Sequence, residues 1–129
     1  MEIGFDTNAF FTAVLSQDGE AIRAFFHPGA QIRWHCTREL FTVDEFVRVN
    51  TEYPGDWTGE VEHELCVGEN GSYLAVVAGH ITERNSGASF HCVSYLRIHG
   101  GRIASLDEYW ADDGAPPEWR RALNIGRSF

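Results

Sequence analysis

The stretch YLRIHGGRIASLDEYW, Tyr95–Trp110, decides the fold. On either side of His99-Gly100-Gly101 lie runs rich in β-branched and aromatic side chains, the signature of two antiparallel strands joined by a tight turn. A type I turn followed by a glycine in the left-handed region predicts a three-residue loop there. Working outward, Asn85-Ser86-Gly87 repeats the device between strands Tyr73–Glu83 and Ala88–Ile98. The turn Glu69-Asn70-Gly71-Ser72 joins the first of these to Trp57–Val67. Long strands linked by short turns form a meander, and Arg102–Trp110 is its last strand.

Cross-strand partners follow by counting outward from the turns. His80 is expected opposite Cys92, Cys92 opposite Glu108, Ser94 opposite Leu106 and Phe90 opposite Trp110, all on one face because side chains alternate with period two. A two-residue Gly100-Gly101 turn would instead put Glu108 on the face of Val93 and Tyr95. The three-residue turn is preferred because it gives the more apolar face.

Upstream, Asp6 can cap a helix carrying Phe10, Phe11, Val14 and Leu15 on one face, and Asp18-Gly19 breaks it. A second short helix buries Ala21, Ile22, Phe25 and Phe26 and stops at His27-Pro28-Gly29, ahead of a strand AQIRWHC, Ala30–Cys36. Thr42 and Glu45 form a capping box for a third helix ending before Tyr53-Pro54-Gly55. A last short helix, PEWRRALN, starts at Pro117, with Trp119 expected to lock it onto the sheet. Helices first and strands afterwards, without repeat or linker, predict one α+β domain over residues 1–129, an antiparallel sheet with helices on one face. If the sheet curls, it encloses a pocket.

The composition narrows the partners. Nineteen Asp and Glu against ten Arg and no Lys give a net charge of -9 with no basic patch, which excludes nucleic acid and anionic membrane as expected partners. Cys36, Cys66 and Cys92 lack a CxxC spacing, so neither a disulfide framework nor structural zinc is expected, and a reducing cytoplasm fits. The acidic, periodic N-terminal stretch resembles neither a signal peptide nor a membrane span. Asp112-Asp113-Gly114 lacks the alternating ligands of a calcium loop and is taken as a turn.

The predicted inner face sets Glu108, His80 and Cys92 among Phe90, Leu96, Leu106 and Trp110. Burial raises a carboxyl pKa toward the range where it can exchange protons at neutral pH, which makes Glu108 the candidate general acid/base and His80 its candidate assistant. Trp34, Tyr53, Trp57, Phe90, Cys92, Ser94 and Trp110 are the candidate ligand-binding residues, and aromatic lining favours planar or apolar ligands. The competing reading of Glu108 is a carboxylate fastened by Trp34, Trp110 or Arg33 donors. Cys92 lacks a helix N-terminus or tight elbow to activate a thiol. Three ligands in a straight row, His80, Cys92 and Glu108, do not converge on a tetrahedron, so no metal and no cofactor is expected.

The segments FFHPGAQIRWH, Phe25–His35, and YLRIHGGRIASLDEYWADDG, Tyr95–Gly114, in this order of elements, resemble the nuclear transport factor 2-like superfamily in its SnoaL-like and ketosteroid isomerase-like branches. The resemblance covers nearly the whole chain and implies a curved sheet wrapped around helices as a cone with one pocket. It also implies a homodimer, here through an outer face carrying Val93, Tyr95 and Arg97. Trp34 and Ser94 stand where ketosteroid isomerases keep a catalytic aspartate and an oxyanion-holding acid, which argues against steroid isomerisation. Glu108 matches the acid/base aspartate of SnoaL-like cyclases. The expected function is therefore acid/base isomerisation, cyclisation or dehydration of a small apolar or polyketide-like molecule. The competing class is a non-catalytic binding or dimerisation module of the same fold.

Overall fold

A computed structural model of the chain describes residues 5–69 and 71–129. Each of the first three helices is opened by the side chain its sequence offers. Asp6 accepts from the Ala9 N–H at α1, Thr7–Leu15, and Asp18 accepts from the Ala21 N–H at α2, Gly19–Ala24. At α3, Val43–Thr51, Thr42 and Glu45 make both bonds of a capping box, satisfying donors that a helix start leaves open.

Six strands form one curved, unclosed sheet: β1 Phe26–Trp34, β2 Glu39–Phe41, β3 Trp57–Glu69, β4 Ser72–Glu83, β5 Ser89–His99 and β6 Arg102–Asp112, in the order β2-β1-β6-β5-β4-β3. The helices pack on its inner face, where Phe10, Ile22 and Phe46 meet Ile32, Leu96 and Leu106 in the core. Asn70 of the β3–β4 turn lies outside the described residues, but Glu69 pairs with Ser72 across it. Residues 1–4, part of the N-terminal stretch, also lie outside them.

The sheet is not wholly antiparallel, because β1 runs parallel to β6 and sets Trp34 beside Glu108. The first strand begins at Phe26, ahead of the expected Ala30, and α2 stops before Phe25. Tertiary pairing outweighs helix pattern here: the Phe25 carbonyl accepts from the Ile103 N–H at 2.8 Å, and Phe26 pairs with Ile103 and buries its ring. His27-Pro28-Gly29 is taken up by an irregularity between Phe26 and Gln31, since proline has no N–H for a ladder. The three-residue β2 is too short to show a periodic pattern.

Two turns differ from expectation, and both matter to the site. Between β4 and β5 the loop is Arg84–Gly87, four residues long, closed by the Glu83 N–H donating to the Ala88 carbonyl at 2.8 Å. The Glu83 carboxylate organises it, accepting from the N–H groups of Asp56 (2.8 Å), Asn85 (3.1 Å) and Ser86 (2.7 Å). Between β5 and β6 the turn is Gly100-Gly101, with φ of 58° and 80°, the doubly left-handed geometry of a two-residue hairpin. A bulge between Arg97 and Ile98 in the pairing then restores the parity that the shorter turn would have lost.

Donors from Asp56 and Ser86 pull the Glu83 carboxyl down to about 2. A depressed pKa stabilises the fold above the ordinary carboxylate pKa of about 4.3 and ceases to do so as pH falls through about 2. Glu83→Gln is expected to lower the melting temperature at pH 7 and to flatten the acid limb of stability against pH. Thermal denaturation between pH 2 and 7 checks this.

The last helix, α4, Glu118–Arg121, contains no buried residue, and Trp119 is 65% exposed. It does not lock back onto the sheet as expected. The neighbouring Arg120 guanidinium lies over its ring, 5.8 Å from the centroid. No helix among the described residues is long and apolar enough to cross a membrane.

Candidate functional site

Glu108 stands mid-strand on β6 with Trp34 of β1 on one side and Ser94 of β5 on the other. Both neighbours donate to it: Trp34 Nε1–H to Oε1 at 3.0 Å and the Ser94 hydroxyl to Oε2 at 2.7 Å. The row across three strands is thus Trp34, Glu108, Ser94 and not His80, Cys92, Glu108. Leu96, not Ser94, faces Leu106; Cys92 faces Trp110 and Phe90 faces Asp112. Glu108 keeps its expected face because the shorter turn and the bulge each move the register by one, and two such moves preserve side-chain parity.

This row borders a cavity of about 150 Å³. The sheet contributes Val77, Gly79, Ile81, Leu96, Cys92 and Ser94 to its wall, and the apolar face of α1 contributes Phe10, Phe11, Val14 and Leu15. At Gly79 the close packing demands glycine, since a Cβ would stand 2.8 Å from the Phe11 ring. The accessible part of Glu108 faces this cavity. Burial pushes its carboxyl pKa up, and the Ser94 and Trp34 donors offset that only in part. Such a carboxyl can both give and take a proton toward a bound molecule. The Cys92 thiol is pushed far up by burial and by Glu108, so it stays protonated and is no nucleophile.

The five aromatic candidates form a closed ring on the cavity wall. Successive centroids are 6.4 Å apart for Trp34–Tyr53, 5.8 Å for Tyr53–Trp57, 5.8 Å for Trp57–Phe90, 6.4 Å for Phe90–Trp110 and 6.4 Å for Trp110–Trp34. Interplanar angles between 62° and 87° make every contact edge-to-face, the arrangement that ring quadrupoles favour. Gln17 at the end of α1 secures one corner, its Nε2 donating to the carbonyls of Asn50 (2.9 Å) and Tyr53 (2.6 Å). Sequence reasoning missed Gln17 and Asn50 as parts of the wall.

His80 is not brought to the cavity. The four-residue loop shifts the β4–β5 register by one, pairs His80 with His91 and turns it to the outer face. There the two imidazoles stack at 4.4 Å, and Asp113 accepts from both and from the Ser89 hydroxyl. Glu62, His80 and His91 offer one potential metal ligand each within 4.8 Å. Their geometry opposes a metal, because ring planes only 16° from parallel cannot both contain one ion along their nitrogen lone pairs. The bond to Asp113 raises the His91 pKa, while donors led by Ser89 lower that of Asp113. The carboxylate's contribution is present above its unfolded pKa of about 3.9 and lost as pH falls further. The imidazole's is present below its unfolded pKa of about 6.5 and lost as pH rises through the raised folded value. The His91 ring protons should therefore titrate by NMR above the ordinary value and fall back toward it in Asp113→Asn.

The model of the SnoaL-like domain matches residues 7–106. The chain belongs to the SnoaL-like family. No curated protein sequence matches this SnoaL-like chain significantly. Solved structures share its fold. A proposed ketosteroid isomerase from Kribbella flavida is 24% identical with a TM-score of 0.75, over 94% of this chain and 85% of that one. A proposed polyketide cyclase from Sinorhizobium meliloti is 23% identical with a TM-score of 0.62, over 78% and 90%. An LEH-like epoxide hydrolase of M. tuberculosis is 10% identical with a TM-score of 0.60, over 81% and 78%. At these identities the likeness is one of fold. In this SnoaL-like chain Trp34 and Ser94 are the two donors to Glu108.

Proposed function

We propose that this SnoaL-like chain is a small-molecule enzyme in which Glu108 acts as general acid/base, in an isomerisation, cyclisation or dehydration that needs no cofactor. The observation that supports it is the Glu108 carboxyl itself: pKa-raised by burial, held by Trp34 and Ser94, and facing a largely apolar cavity. Trp34 and Ser94 position Glu108, and the five aromatics line the cavity. A cavity of about 150 Å³ suits a single ring or an aliphatic group of that size, or the reacting end of a longer polyketide-like molecule.

The fold also presents an outer sheet face on which Leu65, Val67, Tyr95 and Tyr109 are exposed. Apolar groups gathered on one sheet face favour burial against a second copy, and a homodimer through this face is part of the proposal. The test of the activity is turnover. A thermal-shift screen of small apolar compounds finds ligands of the native state, and each is then assayed with wild type and Glu108→Gln. Equal turnover by the two proteins, or no turnover of any bound compound, leaves the non-catalytic binding module as the surviving reading.

A further inference from the structure

We propose that the cavity is built for a small N-alkylated ammonium group, held among the side chains of Trp34, Tyr53, Trp57, Phe90 and Trp110. The inference deepens the acid/base reading by naming a substrate class, and it rests on that reading for the place of the pocket.

Three independent observations carry it. The first is size. A cavity of about 150 Å³, walled by five aromatic side chains whose successive centroids are 5.8 to 6.4 Å apart, has room for a nitrogen wrapped in methyl groups, and ring faces attract a cation within roughly 6 Å.

The second is the charge of the lining. Its ionisable carboxyls are Glu108 and Asp112, and no arginine or histidine is among the residues around the cavity. An anionic ligand would find two carboxyls and no counter-charge. A cation finds aromatic faces and, on β6 beside Trp34 and Trp110, a buried carboxyl whose ionisation is costly only while it is alone. An ammonium beside it would offset that cost and leave Glu108 ionised, ready to act on such a ligand as the base.

The third is the field of the whole protein. A chain of net charge -9 without a single lysine concentrates cations near its surface and repels anions. An apolar molecule gains nothing from that field.

The experiment compares choline with 3,3-dimethylbutan-1-ol, which has the same shape but carbon in place of the charged nitrogen. Isothermal titration calorimetry on the intact protein is expected to show choline binding at least about tenfold more tightly. Glu108→Gln and, separately, Phe90→Leu should each lower the ratio of choline to alcohol affinity, with circular dichroism showing that the variants are folded. Equal or tighter binding of the alcohol by the wild type overturns the ammonium assignment, as does the absence of binding by either compound in the millimolar range. Neither result touches the acid/base role of Glu108, which is decided by turnover in Glu108→Gln with whatever substrate is found.

Discussion

Glu108→Gln is expected to keep the fold and lose between about 10² and 10⁴-fold in turnover, the range that a positioned acid or base contributes. The glutamine is nearly isosteric. Its carbonyl oxygen can still accept from Trp34 Nε1–H, and its amide can donate to the Ser94 oxygen, which turns from donor to acceptor. Stability should respond in the opposite direction to activity. Because burial raises the folded pKa of Glu108 above its unfolded value, the folded state holds the proton more tightly. Wild-type stability therefore declines as pH climbs from about 4.3 toward the raised folded pKa. The variant has no such decline, so its advantage in melting temperature should grow with pH over that window. A variant that loses activity and stability together at neutral pH would show that Glu108 is a structural fastener.

Phe46→Ala is expected to cost about 3–5 kcal/mol of folding stability, measured by urea denaturation. The Phe46 ring is 1% exposed and packs edge-to-face on Phe26 at 5.5 Å and on Trp34 at 6.3 Å, tying α3 to β1. Removing it leaves a void that the rigid sheet cannot close, and the loss is a large share of the roughly 5–15 kcal/mol that holds a domain of this kind together. Phe46→Leu, which keeps most of the volume, should cost less than about 1.5 kcal/mol. Trp34 also loses a wall of its socket in the alanine variant, so the Glu108 geometry should loosen with the core.

Local chemistry was legible residue by residue. The capping box of Thr42 and Glu45, the cap Asp6 and the hairpin glycines all act at a range of a few residues, and such signals survive without knowledge of the rest of the chain. Partner identity across strands did not survive in the same way. The Glu83 carboxylate recruits backbone donors from Asp56 in a separate segment, and with them the loop becomes one residue longer, which turns His80 from the inner to the outer face. At the next hairpin a shorter turn and a bulge cancel in parity, so Glu108 stays inside while its neighbour changes from Cys92 to Ser94.

The sequence by itself determined the α+β class, the order of helices and long strands, the aromatic set Trp34, Tyr53, Trp57, Phe90 and Trp110, and Glu108 as the carboxyl among apolar side chains. Periodicity and turn chemistry carry that information because alternation along a strand is a property of one strand alone. Only the tertiary structure decided that β1 lies parallel to β6, that Trp34 and Ser94 hold Glu108 between them, and that five separated aromatics close into a ring. Those relations depend on register and on sheet curvature. A single bulge or an extra loop residue changes the register at no visible cost in local sequence pattern.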